Sequence, residues 1–321
     1  MSVNDNLFVV MIAAAIAYGT PLVFAALGEI LAERSGVINL GVEGMMLLGA
    51  VGASWIATEV SGPAGVVLPV ALIVAMLFAA AGALIHAFLT ITLRVNQIIS
   101  GLALTIFAGI AGVSSYLAGI WDLGQGPVPN QFDDLNLFGL ARTPVLGPIL
   151  FEQTALTYLS WLAVIGVSIY LFRTRLGLQL RAVGESPQTA DSVGVNVVRT
   201  RYVHVLIGGA FAGIAGACFS LSIVPQWVNG MTSGQGWIAL ALVIFGFWRP
   251  DLMLVGAYLF GGLSSLRFTL QARGIDVPTA LLDALPYLMT IVVLVVVSNS
   301  AARRRLGAPA ALGLPYEREE R

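Results

Sequence analysis

Residues 34–46, RSGVINLGVEGMM, place charged and amide side chains among glycines between two apolar stretches. Such side chains are costly at membrane depth and are tolerated mainly where they line a protein interior or an aqueous cavity. Backbone broken by glycine survives in a bilayer only beside protein or water. Asn39 and Glu43 are therefore candidates to hydrogen-bond a polar solute. Alternatively, they cap broken helices, and Glu43 pairs with Arg34 near the membrane surface.

A second segment of the same kind, GMTSGQGW, occupies residues 230–237. The apolar runs that begin at 44 and 236 have about 15 and 13 residues, too few to cross a bilayer comfortably unless the glycine-rich residues before them also lie in it. Paired short or interrupted segments in two halves indicate a substrate site at the repeat interface. The predicted path residues are Asn39, Glu43, Met45, Asn96, Met231, Thr232, Gln235, Trp237 and Phe245. The alternative role for the apolar members is packing, and for Asn96 it is starting a helix.

The composition is that of a polytopic membrane protein. Hydrophobic residues make up 58% of the 321 positions and charged residues 10%. A helix needs about 20 apolar residues to cross the hydrocarbon core. Apolar runs lie near 7–28, 44–58, 65–90, 97–119, 154–172, 203–224, 236–248, 252–270 and 280–299. The sequence thus predicts an all-α fold with about nine transmembrane helices, within a range of about eight to ten.

Enzymatic chemistry is not expected. All 16 basic residues are arginine, so the chain lacks the lysine of a phosphate-binding P-loop, and ATP with Mg²⁺ must act through a partner. HExxH and GxSxG motifs are absent as well. The single cysteine, Cys218, leaves no internal disulfide, and His86 and His204 lack carboxylates at metal-binding spacing. We expect no catalytic residue, no metal, no cofactor bound by this chain and no nucleic-acid partner.

Arginine placement predicts the orientation. Arginines crowd residues 173–201, and three more follow the last apolar run at 303–305. By the positive-inside tendency both regions are cytoplasmic, which puts the acidic loop 120–153 and the N terminus outside. Arg267 and Arg273 do not fit this pattern. The expected location is the inner membrane of a bacterium, with the first run a true span and no removable signal peptide.

The expected organisation is one transmembrane domain over residues 1–299. It comprises a first repeat of about 7–119, the external loop 120–153, a connecting span 154–172, a cytoplasmic loop 173–202 and a second repeat of about 203–299. A single connecting span inverts the second repeat relative to the first. Glycine-rich membrane helices also resemble each other by composition alone, which is the alternative. The tail 300–321 is expected to be cytoplasmic and disordered.

The segment 175–201 is the most polar internal part of the chain. Ser186 or Pro187 can begin a short helix and Gly194 can end it, by the asymmetry of helix caps. Such a helix suits docking into a groove on another protein. The alternative is a long solvated connector.

Four motifs together resemble one family of proteins. They are GVINLGVEGMMLLGA at 36–50, VNQIISGLALT at 95–105, LRAVGESPQTADSVGVNV at 180–197 and GMTSGQGWIALALVIFGFWRP at 230–250. They are similar to the permease subunits of bacterial ABC importers, in the branch for nucleosides and simple sugars, over roughly residues 15–298.

The resemblance implies a type II-like importer fold and several partners. These are a second, homologous permease, a cytoplasmic ATPase with two domains that are often fused, and an extracytoplasmic substrate-binding lipoprotein. The segment 173–202 would be the coupling element that meets the ATPase. The residues that the resemblance assigns to coupling are Arg181, Gly184, Glu185, Pro187, Ala190, Asp191 and Gly194.

The expected cargo is a nucleoside, because the forms of the motifs at 36–44 and 230–241 resemble the nucleoside-type subunit. A pentose or another simple sugar comes second, and branched-chain amino acids come third. The rival function is an ion-coupled secondary transporter of small polar solutes, since inverted repeats with broken helices occur there too. That transporter would work as this chain alone.

Overall fold

The computed structural model describes residues 7–109, 112–271, 274, 278–297 and 307–318. Each apolar run of the sequence overlaps one helix among the described residues, except that the run 97–119 overlaps two, α4 and α5. The helices are α1 Leu7–Arg34, α2 Val42–Glu59, α3 Ala64–Ala87, α4 Gln97–Ala108, α5 Val113–Ile120, α6 Ala155–Arg173, α7 Arg175–Glu185, α8 Pro187–Ser192, α9 Val197–Cys218, α10 Gln235–Phe245, α11 Pro250–Gln271 and α12 Thr279–Val297. Single π-helical turns, Phe88–Thr92 and Phe219–Ile223, extend α3 and α9.

Several of these helices have the length and apolar character of membrane spans. Within the described residues, five qualify by length and composition: Leu7–Arg34, Ala64–Thr92, Gln97–Ile120, Ala155–Arg173 and Val197–Ile223. Two shorter apolar helices are Gln235–Phe245 and Pro250–Leu266. The predicted multi-pass helical membrane protein is therefore confirmed, whereas the count of nine crossings stays a prediction.

Glycines bring the central helices into backbone contact. A Cβ atom on Gly28 of α1 would lie 2.5 Å from the carbonyl oxygen of Gly208 on α9. On α11, a Cβ atom on Gly261 would lie 2.4 Å from the carbonyl oxygen of Ala15 in α1. Likewise, a Cβ atom on Gly213 of α9 would lie 2.3 Å from a carbonyl oxygen of α3. Small residues at such crossings allow the close packing that holds membrane helices together.

One end of the bundle, the hairpin end, is formed by residues 121–154. Two short strands pair there, β1 Asp134–Asn136 and β2 Glu152–Thr154, antiparallel and with Asp134 opposite Thr154. The prediction of an all-α fold thus misses a small sheet in the loop 120–153, whose short segments lack the length that marks a strand in a sequence. Backbone bonds also tie this loop to the end of α9, as from the Phe132 nitrogen to the Leu221 oxygen at 2.8 Å.

The opposite end, the α7–α8 end, carries the two short helices of the polar segment. Ser186 caps α8, since its hydroxyl oxygen accepts a hydrogen bond from the Thr189 nitrogen at 3.4 Å. Gly194 follows the helix with a φ of +87°, a left-handed conformation that favours glycine. The predicted helix between Ser186 and Gly194 is confirmed. The helix α7, Arg175–Glu185, is not among the predicted helices and lies in the stretch expected to be a connector.

Residues 307–318 also lie at the α7–α8 end. The Ala311 nitrogen donates to the Gly184 oxygen at 2.9 Å, and the Gly313 nitrogen donates to the Gly36 oxygen at 3.0 Å. The prediction that the tail 300–321 is disordered is wrong for these residues, because long-range backbone bonds give them a defined place. The arginines at 303–305 lie outside the described residues.

Candidate functional site

The broken segment 35–41 joins α1 to α2, and its backbone groups bond side chains of other elements. The Ile38 nitrogen donates to Gln97 Oε1 at 2.7 Å. His86 Nε2 lies 3.0 Å from the Ile38 oxygen and must donate there, because a carbonyl oxygen only accepts. In the neutral ring, His86 Nδ1 then accepts from the Ser100 hydroxyl, which is 3.0 Å away. His86 and Gln97, to which the sequence analysis gave no place in a site, supply the partners that non-helical backbone needs in a membrane.

Asn39 is fully buried and its polar atoms bond neighbouring protein atoms. Its amide nitrogen donates to Glu29 Oε1 at 2.9 Å and to the Met45 sulfur at 3.4 Å. Its side-chain oxygen accepts from the Gly41 nitrogen at 3.1 Å. Asn39 therefore organises the turn between α1 and α2, and Met45, also buried, is its partner there.

Glu43 caps the start of α10. Its Oε1 accepts from the Thr232 hydroxyl at 2.6 Å and from the Gly234 nitrogen at 2.8 Å, and its Oε2 accepts from the Gly236 nitrogen at 2.7 Å. A carboxylate at a helix N terminus satisfies otherwise unbonded N–H groups and interacts favourably with the helix dipole. The two glycine-rich segments of the sequence therefore meet at one carboxylate.

Arg34 does not pair with Glu43. Its guanidinium donates to the Trp248 oxygen at 3.2 Å and to the Gly307 oxygen at 2.8 Å, at the α7–α8 end. The indole nitrogen of Trp248 donates to Glu33 Oε2 at 2.5 Å. The suggested ion pair with Glu43 is thus wrong, because Arg34 lies at the last turn of α1 beside the loop that follows α10.

A cavity of about 290 Å³ lies beside the capped start of α10. Its volume is near the lower end of small-molecule pockets, which span roughly 300–1,000 Å³. The described lining residues include aromatic, hydroxyl and amide side chains, and none of them is charged. The members with a polar or aromatic group are Tyr18, Phe219, Thr232, Ser233, Gln235, Ser264 and Tyr287, and the apolar members include Met231 and Ile238.

Gln235 supplies a hydrogen-bond acceptor in the lining of this cavity. Its amide nitrogen lies 3.5 Å from the Ser264 hydroxyl, but its Oε1 is buried and has no hydrogen-bond partner among the described residues. Leaving a buried acceptor unsatisfied costs about 1–3 kcal/mol. Nearby, the Tyr287 hydroxyl donates to the Ser233 oxygen at 2.7 Å and holds the turn before α10. A solute with an N–H or O–H group could complete the bonding of Gln235.

Three of the nine predicted path residues, Met231, Thr232 and Gln235, line this cavity. Asn39, Glu43 and Met45 form the junction described above. Asn96 instead caps α4, where its side-chain oxygen accepts from the Ile99 nitrogen at 3.1 Å. Trp237 is exposed on the surface of the chain, and Phe245 lies against Gly256 of α11. None of these six is among the residues that line the cavity.

Sequence reasoning missed Tyr18, Ser264 and Tyr287 of the cavity. Each lies within a largely apolar helix and outside the two glycine-rich segments, so neither segment marked it. The available signal was a polar or aromatic side chain within a long apolar run, since polar groups at membrane depth tend to face the protein interior.

The predicted coupling residues gather at the α7–α8 end. Gly184 and Glu185 contact the 307–318 segment, since the Glu185 Oε2 accepts from the Ala310 nitrogen at 3.3 Å. The Arg181 guanidinium lies over the Phe172 ring at 5.5 Å from its centroid. Asp191 pairs with Arg318 at 3.5 Å. Pro187 and Ala190 are the buried residues of α8, Gly194 follows its end, and Val193 at its tip is 75% exposed.

The described part of the chain holds no group of three or more His, Cys, Asp or Glu side chains that could bind a metal. Cys218 is buried within α9. His204 Nδ1 lies 2.6 Å from the Thr200 oxygen, and its Nε2 lies 2.6 Å from the Tyr170 hydroxyl, which anchors α9 to α6.

Comparison with known proteins identifies the family. The chain is 42% identical over 320 residues to a putative glucose ABC transporter permease protein, TsgC13, of Haloferax volcanii, covering 94% of this chain and 95% of the relative. It is 35% identical to the nucleoside permease protein NupC of Lactococcus lactis over 315 residues and to the guanosine permease protein NupQ of Bacillus subtilis over 318 residues, covering 97% of this chain and 98% of each relative.

Each of these three organisms also has a second, more distant permease relative, at 24% to 30% identity. No solved structure matches the chain. The family model described as the permease component of the branched-chain amino acid transport system matches residues 11–294. The chain therefore belongs to this family of transport permeases, and the relatives named above are ABC transporter permease subunits.

Proposed function

We propose that this chain is the permease subunit of an ATP-driven importer and that its cargo, a nucleoside or a simple sugar, passes through the cavity beside α10. The observation that carries the proposal is that no described residue bonds Gln235 Oε1, which lies in the lining of a pocket at a capped, interrupted helix. Interrupted helices whose N termini face a cavity are a recurrent way to build a solute site at membrane depth.

The chemistry of the cavity favours a neutral cargo. Its described lining offers amide and hydroxyl groups and no charge, so a charged solute would remain unpaired there. The rings of Tyr18, Phe219 and Tyr287 can pack against a flat nucleobase. Relatives named for a nucleoside and for guanosine support the same cargo. A nucleoside is therefore the first choice, and a sugar such as glucose is the second.

The pairing of helices supports an inverted repeat. We infer that α1, α2 and α3 correspond to α9, α10 and α11. Contacts between α1 and α11 then match those between α9 and α3, and both pairs meet through glycines. The close approach of Gly28 and Gly208 places α1 against its own counterpart, α9. We propose nine crossings, with the N terminus outside.

The arginine-rich α7–α8 end is then cytoplasmic, by the positive-inside tendency. The exposed tip of α8, with Val193, is placed to enter a groove on a partner ATPase. Because each of the three organisms carries two permease relatives, we propose a second, different permease as the other half of the pathway. An extracytoplasmic binding protein would deliver the cargo at the hairpin end.

Competition for uptake tests the cargo. Vesicles that contain the permease, its partner permease and their ATPase take up radiolabelled guanosine in the presence of the binding protein and ATP. An excess of other nucleosides should suppress this uptake, an excess of glucose should do so weakly, and an excess of leucine should have no effect. Suppression by leucine alone would overturn the proposal of a nucleoside or sugar cargo.

A further inference from the structure

The strap, residues 307–318, is bonded to the end of α7. The Ala311 nitrogen donates to the Gly184 oxygen at 2.9 Å, and the neighbouring Ala310 nitrogen donates to Glu185 Oε2 at 3.3 Å. Gly184 itself lies directly on α1, since a Cβ atom there would be 2.3 Å from the Arg34 oxygen. The junction of α7 and α8 is thus enclosed between the strap and the end of α1.

The same strap is bonded to the broken segment 35–41. The Gly313 nitrogen donates to the Gly36 oxygen at 3.0 Å. Arg201 of α9 is buried and bridges the two segments, because its Nε donates to the Ser35 oxygen at 3.1 Å and its Nη1 donates to the Leu314 oxygen at 3.2 Å. Hydrogen bonds from a charged donor are stronger than those between neutral groups, so we expect these two bonds to hold the contact most tightly.

Side chains extend the contact to α8. Tyr316 packs against an apolar cluster formed by Val183, Ala190 and Val197. Two ion pairs flank it, Arg94 with Glu317 and Arg318 with Asp191 of α8. The strap therefore touches α7, α8, the start of α9 and the segment that leads into α2.

We propose that the strap is the positioning element that fastens the coupling helices α7 and α8 to the broken segment 35–41. A displacement of α8 then moves this segment and, through the first turn of α2, Glu43 and the capped start of α10 beside the cavity. The strap neither contacts the cargo nor acts chemically. This inference rests on the proposed function, since it assumes that a partner ATPase moves α8.

Removal of the strap tests the proposal in the complete transporter. A variant that ends at residue 306 should assemble with its partners and hydrolyse ATP, but the cargo moved per ATP should fall at least ten-fold. Cargo moved per ATP is the informative readout, because a defect of folding alone lowers both activities together. An unchanged ratio in an assembled complex overturns the proposal.

If the shortened chain does not assemble, a charge exchange between the strap and its ion-pair partner tests the proposal instead. Arg94→Glu and Glu317→Arg should each lower the ratio about three-fold, and the double variant should restore it. The expected effect is modest because the Arg94 and Glu317 side chains are 46% and 37% exposed, and exposed pairs are weak. Glu59→Arg at the exposed end of α2 is the matched control and should leave the ratio unchanged.

If the two single variants have no effect, or if the double variant does not recover the ratio, the proposed role of the strap is contradicted. The wild-type complex separates the two proposals. If the wild-type complex shows ATP-driven uptake and the strap variants behave identically to it, only the proposed role of the strap is wrong. If the wild type itself shows no such uptake, the proposed function fails.

Discussion

Glu43 accepts a hydrogen bond from the backbone nitrogen of Gly236 at 2.7 Å, so that the first turn of α2 caps the first turn of α10. A Cβ atom on Gly236 would lie 2.7 Å from the Glu43 nitrogen, which leaves no room for any other residue at this position. Two segments nearly 200 residues apart therefore share one junction, at which Thr232 and Gln235 face the cavity. Through this contact, residues from both halves of the chain hold the wall of the cavity in place.

Removal of the carboxylate should destabilise this junction. Glu43→Ala leaves two backbone N–H groups and the Thr232 hydroxyl without their acceptor, and each such buried group costs about 1–3 kcal/mol. We expect Glu43→Ala to lower the apparent melting temperature of the purified permease clearly. The melting temperature of Glu43→Gln should lie between those of Glu43→Ala and the wild type, because glutamine keeps one acceptor oxygen. The control is Glu59→Gln, which is exposed and should melt like the wild type. A wild-type melting temperature for Glu43→Ala would refute the capping role.

The crossing of α1 and α9 should not tolerate a side chain. Gly28→Leu places atoms where the Gly208 carbonyl lies, 2.5 Å from the first added carbon, so the two helices must separate. We expect this variant to yield little folded protein, measured by size-exclusion chromatography in detergent. Gly166→Leu on α6 is the matched control, because a side chain there meets nothing within 4 Å. Equal yields from the two variants would show that the crossing is not close-packed.

Gln235 should govern affinity for the cargo. Gln235→Leu removes the acceptor proposed to bond the cargo, and the loss of a hydrogen bond worth about 1–1.5 kcal/mol should raise the KM of uptake about ten-fold. The rate of ATP hydrolysis should stay unchanged, since the residue lies at the start of α10, whereas it is Trp248, beyond the other end of this helix, that contacts Arg34 at the α7–α8 end. Gln131→Leu, in the exposed loop at the hairpin end, controls for the same change of side chain. A KM that is the same in both variants would remove Gln235 from the path.

The end of α8 depends on a residue with a left-handed backbone conformation. Gly194 has a φ of +87°, and Val there should cost about 1–2 kcal/mol of strain. We expect Gly194→Val to lower the cargo moved per ATP while the permease still inserts into the membrane. Gln188→Ala, an exposed change on the same helix, should leave this ratio intact. If Gly194→Val transports as efficiently as the wild type, α8 is not the coupling element.

Features that depend on local sequence were predictable. Apolar runs predicted where the membrane helices lie along the chain, because a span needs a continuous stretch of apolar residues whatever it packs against. The bounds of α8 followed from Ser186 and Gly194, whose cap conformations are properties of those residues themselves.

Features that depend on distant partners were not predictable. Asn39 and Glu43 are polar groups at membrane depth, but only the fold shows that they bond Glu29 and the start of α10 rather than face the cavity. The strap is rich in glycine, alanine and proline and lacks a periodic apolar pattern. Its place rests on backbone bonds to Gly36 and Gly184, which leave no trace in the local sequence.

Uptake of labelled guanosine into sealed vesicles, with and without ATP, distinguishes an ATP-driven importer from a transporter that works as this chain alone. Vesicles that contain the complete transporter should accumulate the label only when ATP and the binding protein are present, whereas vesicles that contain this chain alone should accumulate none. Accumulation by this chain alone, driven by an ion gradient and without ATP, would contradict the account and establish a secondary transporter.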